Sequence, residues 1–215
     1  VQDWDVSTIA EADRPVVAER AMYGGGRTWA HESMGVNSPA DRWLLAEGCT
    51  RGGFDTFLLV QNPQERDLQV DVAFQTEHGR AVHPALQGLW IPAKSRRSIH
   101  LNDFVYSWNV STEVTSTGLV VCERAMYGGG WAWAHDSRGV TRPHRTWYLA
   151  EGCTEGGMET YVLVQNPGDA PAHLRLTFMT SKGESAGSAN ELPPQSLSLI
   201  HISEPTRLLS ISYAV

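Results

Sequence analysis

The octapeptide ERAMYGGG occurs twice in the chain, at 19–26 and again at 123–130. The same spacing of 104 residues relates 19–63 to 123–167, where thirty of forty-five residues are identical without a gap. A fixed period of this length is typical of a tandem repeat, whose units fold alike and contact mainly their neighbours. The period therefore predicts similar modules in series, each with the neighbouring module of the same chain as its partner.

The apolar pattern within one unit is typical of β-strands. Apolar and polar residues alternate from Leu68 to Phe74, and the second copy keeps this alternation from Leu174 to Phe178. Pro63 then ends the strand expected at 54–61, because proline cannot donate to a ladder. Further strands are expected at Leu86–Ile91, Arg97–Leu101, Val110–Thr115 and Leu119–Tyr127. About seven short strands in about 100 residues predict an all-β fold of tandem immunoglobulin-like β-sandwich modules.

Module boundaries are placed in the two stretches that most resemble linkers, 33–42 and 137–146, which are polar and contain Gly and Pro. This choice makes 43–146 a complete module. Residues 1–42 are then the C-terminal part of a preceding module, and 147–196 are the N-terminal part of a following one. The reading frame is accordingly expected to be truncated at both ends.

The C-terminal residues 197–215 depart from the repeat. The chain reads LPPQS at 192–196, which matches IPAKS at 91–95, and then continues LSLIHISEPTR. This string resembles a translated sequencing-library adapter, as found at the end of a metagenomic fragment. We therefore expect 197–215 to be a non-native tail that either packs poorly or imitates the missing strand only by chance.

Composition limits the classes of partner. The net charge is −7, and the densest basic point is the pair Arg96 and Arg97, which argues against nucleic acid. The apolar runs are too short to span a membrane. The chain begins at Val1 and shows no signal-peptide pattern, so the sequence does not fix localisation directly.

Aromatic and histidine side chains flank the glycine-rich loop in both copies, and they form the candidate ligand site. Tyr and Trp offer a flat apolar face with a polar edge, so they could stack on sugar rings. The alternative is that they plug the junction between modules or cap the sandwich. The residues are Tyr23, Trp29 and His31 in the first copy, and Tyr127, Trp131, Trp133 and His135 in the second.

The sequence gives no support for an enzyme, a cofactor or a metal. Neighbouring residues such as those of HES at 31–33 and HDS at 135–137 seldom make a catalytic triad, because triad members converge from separate elements. The YGGG loops are not followed by a helix that could cradle phosphate. The eight histidines lack the spacing of a zinc site. Arg20 and Arg124 are predicted to pair with a carboxylate such as Glu47 or Glu151.

The cysteines raise the question of a disulfide. Cys49 and Cys122 fall near the first and last strands of the complete module, while Cys153 is the repeat copy of Cys49. Terminal strands of a sandwich often lie close together, so a bridge between Cys49 and Cys122 is predicted, with two small buried thiols as the alternative. A bridge would indicate an oxidising, extracellular setting.

Several motifs together resemble a tandem repeat family of unknown function from secreted or surface proteins of high-GC bacteria. They are WYLAEGCT, ETYVLVQNP, IPAKSR, VVCERAMYGGG and HDSRGV, and the resemblance covers nearly all of 1–196. The resemblance implies an extracellular or cell-surface β-sandwich module in many copies, with no catalytic residues. The expected function is a structural or adhesive spacer. The alternative is binding of a glycan or cell-wall polymer through the aromatic loop.

Overall fold

The computed structural model describes residues 5–106 and 108–202, and apart from two single-turn 3₁₀ helices its regular elements are β-strands. Strand pairings are antiparallel, so the all-β prediction is confirmed. The 3₁₀ helices are Pro84–Leu86 and Leu101–Asp103. The strands are β1 (Glu19–Gly24), β2 (Trp29–Met34), β3 (Ala40–Leu45), β4 (Asp55–Asn62), β5 (Leu68–Thr76), β6 (Gly79–Val82), β7 (Leu89–Ile91), β8 (Ser95–His100), β9 (Ser111–Gly128), β10 (Trp133–Arg138), β11 (Thr160–Asn166), β12 (Ala172–Thr180), β13 (Gly183–Leu192) and β14 (Ser196–Ile202).

Strand β9, with 18 residues, holds the largest sheet together. Its first part pairs with β3 on one edge and β5 on the other, and its second part pairs with β10 and β4. Residues 117–119 lie between the two parts and have no partner in these ladders. The sequence predicts two strands here, but the backbone stays extended while its partners change. We call strands β3 to β10, grouped around β9, the β9 module.

The main hydrophobic core lies inside the β9 module. Leu68, Val70, Val72 and Phe74 of β5 are all buried, which confirms the alternating pattern predicted for this strand. The other core side chains come from facing strands and from the segments next to them, chiefly Trp43, Leu58, Val60, Ile99, Leu101, Val110, Val114, Val120 and Cys122. Burying each such apolar side chain stabilises the fold by roughly 1.5–3 kcal/mol relative to exposure.

The predicted boundary between residues 42 and 43 lies inside strand β3. Ala40 stands opposite Val120, and Leu44 exchanges backbone hydrogen bonds with Val140, at 2.7 and 2.9 Å. The segment by which the chain enters the β9 module therefore lies beside the segment by which it leaves. Five residues, 35–39, separate the end of β2 from the start of β3.

Residues 147–202 form two separate two-stranded sheets, β11 with β14 and β12 with β13. One repeat period relates β11 to β4 and β12 to β5. The turns match as well, because Thr180 lies opposite Gly183 as Thr76 lies opposite Gly79. Burial differs between the copies: Phe74 is buried, whereas its counterpart Phe178 is only half-buried.

Of the two expectations for the tail, poor packing is wrong for residues 197–202, which instead imitate the missing strand. They belong to β14, whose register on β11 is that of β8 on β4: Ile200 lies opposite Val162 as Ile99 lies opposite Leu58. Leu197 is 3% exposed. The physical reason is that a backbone ladder needs only an extended, proline-free segment, and Ile200 stands where the repeat also has isoleucine. Residues 203–215 lie outside the described part of the chain.

The structure does not contain the predicted disulfide: Cys49, Cys122 and Cys153 are free thiols. The backbone N–H of Cys49 donates to Oγ1 of Thr56, 3.1 Å away. Cys122, however, lies opposite Val60, four residues further along β4. Four strand residues span about 13 Å, well beyond the roughly 7 Å that a disulfide tolerates between Cα atoms. Cys122 is instead buried among apolar side chains, which raises the pKa of its thiol.

Candidate functional site

The hairpin of β1 and β2 lies against the outer face of β9 and β10. In the β1–β2 ladder Arg20 stands opposite Ser33 and Gly24 opposite Trp29, so Arg20, Trp29 and His31 share one face of the hairpin. That face contacts Tyr127 and Asp136. We call Arg20, Trp29, His31, Tyr127, Trp131 and Asp136 the junction cluster.

The polar half of the junction cluster centres on the carboxylate of Asp136, whose side chain is fully buried. His31 Nδ1 lies 3.0 Å from Oδ2 of Asp136, and the guanidinium of Arg20 donates to the same oxygen. Arg20 also pairs with Glu123 at 3.1 Å. Burial raises the pKa of Asp136, but the hydrogen bonds from His31 and Arg20 outweigh burial and leave that pKa lowered.

The imidazole of His31 links this carboxylate to a phenol. Its Nε2 lies 3.3 Å from the hydroxyl of Tyr127. If Nδ1–H donates to Asp136, Nε2 accepts from Tyr127, so both ring nitrogens are satisfied. Burial raises the pKa of Tyr127, which keeps the phenol protonated. In this arrangement Tyr127 donates to His31 and His31 donates to Asp136, so the three side chains hold one another in place.

The aromatic half of the junction cluster is built on Trp131. Its ring stacks on Tyr127 with centroids 4.5 Å apart, and Trp29 meets Tyr127 edge-on at 5.2 Å. Trp131 Nε1 donates to Oδ2 of Asp55 over 3.0 Å, and the other oxygen of Asp55 lies 3.0 Å from His100 Nε2. Trp131 nevertheless stays 45% exposed. An exposed indole beside a carboxylate and an imidazole is an arrangement suited to a polar ring-shaped ligand.

Trp131 also has an unusual backbone. Its φ of 67° lies in the left-handed region, which costs a non-glycine residue roughly 1–2 kcal/mol. Its repeat counterpart Arg27 has φ of 72°. Both hairpins therefore have the same turn geometry, but only the second has a tryptophan at this position.

Trp133 and His135 lie on the opposite face of β10 from the junction cluster. Arg124 of β9 shares that inner face, where it pairs with Glu47 at 2.8 Å and lies 3.0 Å from Nδ1 of His135. The predicted pairing of Arg124 with Glu47 is therefore confirmed. Burial lowers the pKa of Arg124, and the charge of Glu47 opposes this effect. Burial, followed by the charge of Arg124, lowers the pKa of His135.

The structure thus divides the seven predicted ligand residues into three groups. Trp29, His31, Tyr127 and Trp131 meet in the junction cluster. Trp133 and His135 belong to the inner face, and Tyr23 lies on the outer side of the hairpin with 65% exposure. Sequence reasoning missed the polar partners Asp55, His100 and Asp136, because strand alternation alone does not tell which distant strand supplies a partner. The sequence feature that could have pointed to Asp136 is the HDS motif at 135–137, which follows the second copy of ERAMY at 123–127.

Other surface features of the described residues offer little to a ligand. A cavity of about 310 Å³ lies beside β8 and is lined by Leu86, Ile99, Asp103 and Phe104 among others. A second cavity of about 180 Å³ lies near Gln69. Across 5–106 and 108–202, no group of three or more His, Cys, Asp or Glu is placed to hold a metal ion. In the same ranges, no helix is long and apolar enough to cross a membrane.

Comparisons with known proteins identify no family. A scan against family models gives no match, and a search of curated proteins gives none either. Among solved structures, the chain is similar to Thermotoga maritima 1070, with a TM-score of 0.43 and 16% identity over 50% of this chain and 97% of that chain. It is also similar to the Anabaena sensory rhodopsin transducer, with a TM-score of 0.35 and 14% identity over 42% and 99%. Similarities at these TM-scores carry no functional argument.

Proposed function

We propose that the β9 module is one immunoglobulin-like β-sandwich unit of a tandem array, and that the array is a structural or adhesive spacer of an extracellular or cell-surface protein. Two strand groups support the sandwich: β9 pairs with β3 and β5 through its first part, and with β4 and β10 through its second. The repeat of 104 residues supports the array.

The observation that carries the spacer proposal is the short connection between repeat units. Only residues 35–39 separate β2 of one unit from β3 of the next, and Pro39 stiffens this segment. Gly35 N–H also donates to the carbonyl of Ala18, which ties the connection to the hairpin before it. So short a connection restricts movement between units, as a stalk that holds another domain away from a surface requires.

The spacer proposal predicts a mechanical signature. If both ends of the chain are pulled in a single-molecule experiment, the β9 module should resist and then open in one step, because β3, β4, β5 and β10 all pair with β9 and the remaining strands pair with β4 or β5. Val140 follows its partner Leu44 by 96 positions, and at about 3.5 Å per extended residue the step should release about 330 Å of contour length beyond the short distance that already separates the paired residues. Gradual extension without a resolved step would contradict a role in withstanding mechanical force.

A second candidate function is binding of a glycan or cell-wall polymer, and it rests on Trp131. This indole is exposed and held in a strained backbone conformation, and strain of this kind is concentrated at functional sites. Asp55 and His100 beside it supply hydrogen-bonding groups for sugar hydroxyls.

A pull-down with insoluble cell-wall polymer, combined with a glycan array, separates the two functions. If the chain is a spacer, it should stay in the supernatant, and only a background amount should bind to the polymer. Retention would favour the second candidate, provided that Trp131→Arg reduces it at least tenfold. Arginine is the matched replacement, because Arg27 occupies the same left-handed position in the first hairpin. Retention that Trp131→Arg leaves unchanged would exclude the aromatic loop as the binding site.

A further inference from the structure

Two carboxylates and one imidazole form a continuous polar row beside the exposed ring of Trp131. Nε2 of His100 lies 3.0 Å from Oδ1 of Asp55, and its Nδ1 lies 3.0 Å from Oδ1 of Asp103. The second oxygen of Asp55 accepts from Nε1 of Trp131. These side chains come from β4, β8, the second 3₁₀ helix and the turn before β10. We call Asp55, His100, Asp103 and Trp131 the Trp131 site.

The indole of Trp131 has one covered face and one open face. The covered face stacks on Tyr127 with an interplanar angle of 16°. Trp29 and Phe57 stand nearly perpendicular to the indole, with centroids 6.3 and 6.2 Å from its own. Because one face is stacked and the side chain is still 45% exposed, most of the exposed surface belongs to the other face and the outer edge. A flat ligand can therefore stack there.

The Trp131 site is negatively charged in either protonation state of His100. A neutral imidazole leaves both carboxylate charges uncompensated, and a protonated one compensates only one of them. Arg97 of β8 lies on the opposite face of the strand from His100 and donates to a backbone carbonyl of β7. Arg96 shares the face of His100, but Asp5 pairs with it at 3.1 Å. The site therefore attracts a cation more strongly than an anion.

Asp103 provides the hydrogen-bond acceptor that a cationic ligand needs. Its side chain is 66% exposed, and among the described residues only its Oδ1 is engaged, by His100. Asp55 uses both of its oxygens, for His100 and Trp131, and is 34% exposed. Oδ2 of Asp103 is thus open to a ligand. A carboxylate and an ammonium group make a charge-assisted hydrogen bond, which is roughly twice as strong as a neutral one.

The cavity of about 310 Å³ beside β8 extends the Trp131 site. By itself this cavity offers little to a ligand, but His100 and Asp103 line it together with apolar side chains such as Leu86 and Phe104. Its volume is at the lower end of the range for small-molecule sites. A ligand that stacks on Trp131 can therefore continue past His100 and Asp103 into the cavity, which suits a chain of rings better than a single ring.

We propose that the Trp131 site binds a glycan whose sugar rings carry protonated amino groups. One ring stacks on the open face of Trp131, whose π-system also attracts the positive charge. An ammonium group donates to Oδ2 of Asp103, and a further ring occupies the cavity beside β8. The inference rests on glycan binding, the second candidate under the proposed function, and deepens it by naming the class of sugar.

Isothermal titration calorimetry on the full chain tests the charge of the ligand. The two probes are a glucosamine oligomer with free amino groups, at a pH that keeps them protonated, and the same oligomer with every amino group acetylated. The free-amine oligomer should bind about tenfold more tightly, because acetylation removes the charge-assisted hydrogen bond and the cation–π attraction. Equal affinity, or tighter binding of the acetylated oligomer, would overturn the inference and leave glycan binding standing. Binding of neither oligomer would overturn both and leave the spacer proposal untouched.

Two matched variants separate a specific site from general attraction between a cationic oligomer and an acidic chain. The net charge of −7 gives any cation some affinity for this protein. Asp103→Asn keeps the shape of the side chain but removes its charge, so it should weaken binding of the free-amine oligomer about tenfold. Asp41→Asn makes the same change at an exposed carboxylate of β3 and should weaken binding less than about twofold. Equal losses from the two variants would overturn the inference.

Discussion

Trp43→Ala is expected to lower the free energy of unfolding of the β9 module by about 3–5 kcal/mol, the range found for removal of a buried aromatic side chain. Trp43 is 1% exposed, and its indole N–H donates to the carbonyl of Val120 over 2.8 Å. The variant therefore leaves a cavity and also removes the partner of a buried carbonyl, which adds to the cost. Urea denaturation followed by far-UV circular dichroism measures the change.

The chain contains its own control for this prediction. Trp147 is the repeat counterpart of Trp43, in the shared context of W-x-L-A-E-G-C-T, yet it is 54% exposed. Trp147→Ala is expected to change the free energy of unfolding by less than about 0.5 kcal/mol, as surface substitutions do. Equal losses for the two tryptophans would mean that burial in the β9 module does not determine the effect.

The same comparison shows what sequence can and cannot predict about the fold. The alternation at 68–74 depends on neighbouring residues alone, and β5 forms where it is predicted. Burial depends on whether a distant partner strand is present. Trp43 is covered because β3 pairs with β9, whereas Trp147 lies in no strand of the structure, and nothing in its local sequence shows this difference.

In the candidate site, too, the sequence predicts contacts within one hairpin but not contacts with a distant strand. Tyr127 and Trp131 were predicted together because they lie in one hairpin, and the structure stacks them. Asp55 could not be assigned to Trp131, because the register between β4 and β9 places Asp55 opposite Tyr127, which is 72 positions further along the chain. The disulfide prediction failed for the same reason. It assumed that the terminal strands place Cys49 beside Cys122, whereas Cys49 lies next to Thr56 and Cys122 lies opposite Val60, four residues further along β4.

Glu47→Ala is expected to destabilise the β9 module by about 3 kcal/mol, near the lower end of the range for breaking a buried ion pair. The side chain of Arg124 is only 4% exposed, and it donates to Oε2 of Glu47 over 2.8 Å. Without that carboxylate the guanidinium stays buried with its charge opposed only by Asp136 and next to His135. The lower end applies because Glu47 itself is 30% exposed, so water partly screens the pair.

Two further variants decide whether the loss comes from the unpaired cation. Adding Arg124→Met to Glu47→Ala removes the cation as well, and it should recover most of the lost stability, because replacing both partners of a buried pair by apolar groups is often close to neutral. Glu151→Ala, at the exposed repeat counterpart of Glu47, should cost less than about 0.5 kcal/mol. If the double variant were as unstable as Glu47→Ala alone, the loss would come from packing around Glu47 and not from the charge of Arg124.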